Sequence, residues 1–212
     1  MSLRLFFAYA LIAALLLPGC LGTGEVIDLN LQPLPGSPKG SKGSPDESLV
    51  IAVDPFRDGR ENTKRIGFRT HFWGGFTNFT AWNGDIGEGM AKLAVAYLKQ
   101  NGWNASRSSG GDPSSKTRPD VTLTGKVLTW DSNAKSGFGF TKLDVVMKVL
   151  FELTNAKDKS TVRMVLGSNG TDTVVLFNHN DLEILTNEVA RQLFEQLFRD
   201  LMIQDKTFRL RS

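Results

Sequence analysis

Between Leu143 and Leu153 every second residue is large and apolar. Leu143, Val145, Met147, Val149, Phe151 and Leu153 share one face, while Lys142, Asp144, Lys148 and Glu152 lie mainly on the other. Successive side chains of an extended chain point to opposite sides, so this is the pattern of a half-buried strand. Ala156 to Lys159 turns the chain into Val162, Met164 and Leu166, which alternate again and predict a hairpin. Gly167 to Gly170 is expected to interrupt the second arm, as a bulge or a further turn. Val121 to Val127 predicts another alternating strand. Leu49 to Val53 predicts a compact apolar one, ended by Asp54-Pro55 and the turn Arg57-Asp58-Gly59. Trp103 to Arg107 is expected to return as a strand, and Val26 to Leu31 nearly alternates and predicts a short one.

The period lengthens in two places. Ile86, Met90, Leu93, Ala94 and Tyr97 recur at three and four residues and form one stripe of a helix from Asp85 to Gln100. Asp85 with Glu88 suits its start and Asn101-Gly102 its stop. Near the C-terminus, Leu182, Leu185, Val189, Leu193, Leu197 and Leu201 form a second stripe, widened by Ala190, Phe194 and Phe198. Asn180, with Glu183 three residues on, is expected to cap it. Strands and two helices in this order predict an α+β fold: a two-layer sandwich, its mixed and mostly antiparallel sheet carrying both helices on one face.

The first twenty residues are of another kind. Arg4 precedes an apolar stretch from Leu5 to Leu17, about 13 residues long, which is a signal-peptide length and short of the ~20 needed to span a bilayer. The stretch ends at Leu17-Pro18-Gly19-Cys20, and Cys20 is the sole cysteine of 212 residues. That tetrad resembles the lipobox of bacterial lipoproteins, which implies cleavage between Gly19 and Cys20 and acylation (palmitate among the chains) of Cys20. A plain secretory leader with a chance cysteine, or an uncleaved anchor, are the alternatives. Several acyl chains hold a protein on a membrane where one would not, at ~0.8 kcal/mol per buried methylene. Leu21 follows the cysteine where lipoproteins kept at the inner membrane of enteric bacteria carry Asp, so the resemblance implies the outer membrane, with the body on its periplasmic face.

Pro33 to Ser48 holds four of the eight prolines and reads as a linker. If the Val26 segment is free, the tether runs to about Ser48. If it pairs into the sheet, only Leu21 to Glu25 spans the gap, at most ~18 Å, and the domain hugs the bilayer. The divisions expected are a leader 1–19, a lipidated N-terminus and linker 20–48, a periplasmic domain 49–205 and a tail 206–212. Leu49-Val-Ile-Ala-Val-Asp-Pro-Phe-Arg-Asp58, Arg65-Ile-Gly67, the helix ending in Asn101-Gly-Trp103 and the strand Asp120 to Gly125 together resemble the YajG-like lipoproteins. These are similar in turn to envelope lipoproteins with a TolB N-terminal-like fold, among them auxiliary lipoproteins of ABC transport systems. The resemblance implies a non-enzymatic accessory role beside an envelope protein partner.

Chemistry is sparse. One cysteine and two histidines exclude a disulfide framework and a Cys- or His-rich metal centre, so no cofactor is expected. A net charge of +3 is too mild to argue for nucleic acid. Gly84 to Gly89 lacks the Lys-Ser/Thr pair of a phosphate loop and reads as a helix start. His179 reads as a helix-start residue without a marked nucleophile, and Asp54 and Asp58 as turn carboxylates. The unusual segment runs from Phe68 to Trp82, where Phe68, Phe72, Trp73, Phe76, Phe79 and Trp82 stand among glycines and polar residues. Without a sustained period it reads as a loop or irregular strands. Its rings either cover one end of the core or bind: a protein partner, a membrane, or a lipid, glycan or peptidoglycan ligand.

Overall fold

The computed structural model describes residues 24–32, 49–108 and 118–211. The leader, Gly19, Cys20 and the Pro-rich stretch 33–48 lie outside the described residues, as does most of the polar loop before Pro119. In chain order the elements are β1 (Glu25–Leu29), β2 (Val50–Val53), β3 (Arg57–Asp58), β4 (Gly67–Thr70) and β5 (Phe76–Ala81). Then come α1 (Ile86–Gln100), β6 (Asn104–Arg107), β7 (Val121–Ser136), β8 (Thr141–Asn155) and β9 (Thr161–Val174). The chain closes with α2 (His179–Arg199), β10 (Leu201–Gln204) and β11 (Thr207–Leu210). The fold is α+β, a nine-stranded mixed sheet with two helices and a separate two-stranded hairpin.

The long strand β7 organises the sheet. One of its edges pairs antiparallel with β8, which pairs antiparallel with β9. Its other edge takes three short strands in succession, β2, β3 and β4, all parallel to it. β6 adds parallel to β2, β5 antiparallel to β4, and β1 parallel to β5. Parallel pairing is therefore a larger part of the sheet than alternation alone suggested. Parallel neighbours need a long crossover, and the stretch containing α1 supplies it between β2 and β6.

Several expectations shift for identifiable reasons. β7 runs well past Val127, because a bulge between Val127 and Thr129 moves its buried positions from odd to even numbers. Trp130, Ser132 and Ala134 thus still face inward. β9 is not interrupted at Gly167 to Gly170; its pairing with β8 continues in register to Val174. Gly170 is instead a contact point: a Cβ there would lie 2.9 Å from Val189 and 3.0 Å from Leu185, so the glycine lets α2 lie close. The second helix starts two residues earlier than expected. The Asn178 side chain accepts from the Asn180 N–H, and Asp181 returns the bond to the Asn178 N–H. Glu183, expected in the cap, is buried and accepts the Asn30 N–H at 2.8 Å, fixing the chain just after β1.

Residues 201–210 are neither helix nor tail. The helix stops at Arg199, and Leu201 turns into the β10–β11 hairpin over the two-residue turn Asp205-Lys206, both at positive φ. Phe208 is 1% exposed and packs on Trp103 and Phe198, whose neighbour Tyr97 stacks on Phe194 at 5.3 Å. Both helices thus meet the sheet through one aromatic cluster. No helix among the described residues is long and apolar enough to cross a membrane.

Candidate functional site

Of the two readings of Phe68–Trp82, loop or irregular strands, the structure has strands, paired as a hairpin. β4 and β5 pair from Gly67–Phe79 to Thr70–Phe76, and His71 to Gly75 closes the turn. Gly74 and Gly75 sit at φ +94° and +84°, a left-handed conformation that glycine adopts without strain. The His71 N–H donates to the Gly75 carbonyl at 3.2 Å, which lifts Phe72 and Trp73 to the apex. Their rings meet edge to face at 4.8 Å, and Trp73 is 81% exposed.

Because β4 lies parallel to the end of β7, this turn sits beside the β7–β8 turn, Gly137 to Phe140. Phe138 lies 6.2 Å from Phe72 and is itself 84% exposed. Val174 pairs with Thr141, so β9 leaves the sheet at the same end, and the exposed Val175 and Leu176 follow directly. Three turns distant in sequence thus make one apolar tip.

Polar groups brace the tip from behind. The His71 ring meets Thr77 Oγ1 at 2.9 Å, and that hydroxyl donates to the Glu25 carboxylate, joining the turn to β1. Arg69 stacks over Phe177 at 4.3 Å and donates to Ser136 Oγ; burial pulls its guanidinium below the ordinary value. Lys135 and Lys142 are exposed and directly opposed on β7 and β8, one pair back from the turn. Facing like charges repel across a strand pair, so this position favours an anionic neighbour.

The six rings singled out in the sequence part company. Phe72, Trp73 and Phe76 are exposed at the tip. Phe68 is half-buried with the Arg65 guanidinium 4.7 Å over its ring. Phe79 is fully buried, because Thr77, Phe79 and Ala81 form the inward face of β5, and it offers nothing to a partner. Trp82 is half-buried against Trp130 at 5.5 Å and beneath α1, where a Cβ on Gly89 would overlap its ring. Phe138 and Phe140 were missed. The signal was Ser136-Gly-Phe-Gly-Phe140, which puts rings where a hairpin turn ordinarily places polar residues.

Other candidates are structural. The α1 start is capped by Asp85, whose side chain accepts the Glu88 N–H at 3.0 Å, while Glu88 pairs with Arg107. Asp58 is held below the usual carboxylate range: burial alone would raise it, but hydrogen bonds and charge from the buried Arg60 outweigh that. Asp54 accompanies it as a turn residue, its N–H donating to the Leu123 carbonyl. His179 is the exposed first residue of α2. Among the described residues no group of three His, Cys, Asp or Glu side chains is placed to hold a metal ion. At the opposite end of the sheet an open groove of about 580 Å³ is lined by Arg118, Asp120, Lys157, Lys159, Asp205 and Lys206.

No family model matches the sequence, and no curated protein does either. Solved structures share the fold. An uncharacterized protein known from its crystal structure aligns over 84% of this chain and 97% of its own, at TM-score 0.50 and 11% identity. Protein XCC0632 from Xanthomonas campestris, a DUF330 protein, aligns over 82% of this chain and 92% of its own, at TM-score 0.50 and 9% identity. Lipoprotein GNA1162 from Neisseria meningitidis matches more loosely, at TM-score 0.36 and 14% identity over 69% of this chain and 98% of its own. The two matches at TM-score 0.50 share the architecture alone, and at such identities no activity is transferred.

Proposed function

We propose that this chain is a lipid-anchored lipoprotein of the bacterial envelope, acting without catalysis as an accessory or assembly factor of a larger envelope complex. The carrying observation is the sole cysteine, Cys20, at the end of a leader-length apolar stretch and four residues before a chain held in the sheet. The motifs resembling YajG-like lipoproteins support it, and Leu21 favours the outer membrane and its periplasmic face. The anchor is short. Gly24 donates to the Phe76 carbonyl at 3.0 Å, so at ~3.6 Å per residue Cys20 lies within ~14 Å of the sheet.

Intact-mass measurement of the processed protein tests the anchor. The expected species begins at Cys20 and carries acyl chains; an unmodified thiol, or loss of residue 20 with the leader, would refute it. Crosslinking in native membranes followed by mass spectrometry tests the accessory role, which predicts a recurrent envelope protein. A second reading, a binding module for lipid, glycan or peptidoglycan, is favoured by the exposure of Phe72, Trp73 and Phe76. A ligand co-purifying with the protein would select it.

A further inference from the structure

We infer that the aromatic tip rests in the headgroup layer of the same bilayer that holds the anchor, so that the domain stands on the membrane on its β4–β5 and β7–β8 turns. This rests on the lipid anchoring proposed above and assigns the tip one occupant, a phospholipid surface.

Position carries the argument. β1 runs parallel to β5 with Glu25 opposite Thr77, so the chain from Cys20 enters the sheet beside the tip and not at the far end. Gly24 is bonded to Phe76, itself a tip residue. An acylated Cys20 therefore brings that end of the sheet to within ~14 Å of the bilayer surface, and the exposed rings occupy that end. The headgroup layer is itself roughly 5–7 Å deep on each side, comparable with a Trp or Phe side chain.

Composition agrees. Trp is enriched at the membrane–water boundary, where an apolar ring with one polar N–H suits a graded medium. Leu176, Phe138 and Trp73 are the most exposed apolar side chains of that end, at 86%, 84% and 81%, while Lys135 and Lys142 stand one residue pair back from the β7–β8 turn, on the side of the lipid phosphates once the rings are immersed. Basic groups near an anionic surface add to the hold of the acyl chains. Charged and apolar groups are thus layered in the order of an interface.

The test uses the intact mature protein, purified from membranes, in vesicles of phosphatidylethanolamine and phosphatidylglycerol that carry a fraction of lipid with a nitroxide quencher on the headgroup. Trp103 and Trp130 are buried and Trp82 is half-buried, so the quencher reports chiefly on Trp73. Immersion predicts that the Trp73 contribution falls about two-fold or more, and that Trp73→Phe abolishes the fall. Phe138→Ser with Leu176→Ser is expected to weaken the quenching while the protein floats with the vesicles and melts as the parent does. Flotation without quenching of Trp73 overturns the tip contact and leaves the anchor standing. Flotation and quenching with an unmodified Cys20 overturns the anchor and leaves the tip contact standing. Failure to float overturns both. A photoreactive side chain at position 73 in cells is expected to crosslink phospholipid; a crosslink to protein instead overturns the assignment.

Discussion

The two ends of the sheet are built to opposite rules. At the β4–β5 and β7–β8 turns, large rings stand in solvent. At the far end of β8, roughly 45 Å away over its 15 residues, the turns are charged and the rings lie underneath. There Lys157, Asp158, Asp205 and Lys206 face outward, and the β10–β11 hairpin lays its own Phe208 over Trp103 and Phe198. The chain closes one apolar end with ten residues of hairpin and leaves the other open. The open end is also the one where the N-terminal segment arrives. Exposure at the tip is therefore local, which is the feature that the proposed membrane contact uses.

The strongest way to break this contrast is to uncover the closed end. Phe208→Ala removes a ring that is 1% exposed and touches Trp103 and Phe198, and is expected to cost ~3–5 kcal/mol in urea denaturation. A loss below ~1 kcal/mol would mean that the hairpin is only laid over the domain and does not seal it.

The next largest effect concerns what holds the hairpin down. Asn155 is buried at the end of β8 and bonds both backbone groups of Phe208, accepting its N–H at 2.8 Å and donating to its carbonyl at 3.0 Å. Asn155→Ala leaves those groups unpaired in the interior, and a loss of ~1–3 kcal/mol is expected by the same denaturation.

These two ends were unequally legible. The odd-numbered run of β8 and the Asp85 cap of α1 are local patterns, and they stand as read. The hairpin was hidden because Leu201 continues the four-residue spacing of Leu193 and Leu197, and because Asp205-Lys206 lacks the glycine that usually marks so tight a turn. The reach of β7 was hidden by its bulge, which reverses the parity of the buried positions. The tip was half legible: Phe72, Trp73 and Phe76 stood out, but Phe138 joins them only through the parallel pairing of Arg69 with Ala134. Such a contact between segments far apart in sequence has no local signature.

A smaller effect sharpens the electrostatic side of the comparison. Asp158, in the far turn, is held down to about 2. The Ser160 hydroxyl and N–H contribute most, against an opposing effect of desolvation, and Arg209 adds a smaller share in the same direction as Ser160. A folded value below the ordinary 3.8 means that the ionised form favours the fold. This contribution is complete above about pH 4 and is lost as pH falls through about 2. Asp158→Asn should accordingly lower the urea midpoint at neutral pH, and the gap from the parent should close between those values. A gap that is constant with pH would place the effect in packing instead.

The smallest expected effect is the most discriminating, since it asks whether the tip is a surface or a lid. Trp73 and Phe76 are 81% and 42% exposed, and the ring contact of Trp73 is with Phe72, which is exposed in turn. Truncating a side chain already in water removes little buried area, so Trp73→Ser is expected to move stability by no more than ~0.5 kcal/mol, and adding Phe76→Ser, whose ring is about half covered, by at most ~1 kcal/mol more. The same substitutions should weaken whatever the tip binds. A drop comparable to that of Phe208→Ala would make the β4–β5 turn a second covering of the core, and the two ends would then follow one rule. A drop within those limits keeps them distinct: one end where rings hold the fold together, and one where the fold holds rings out.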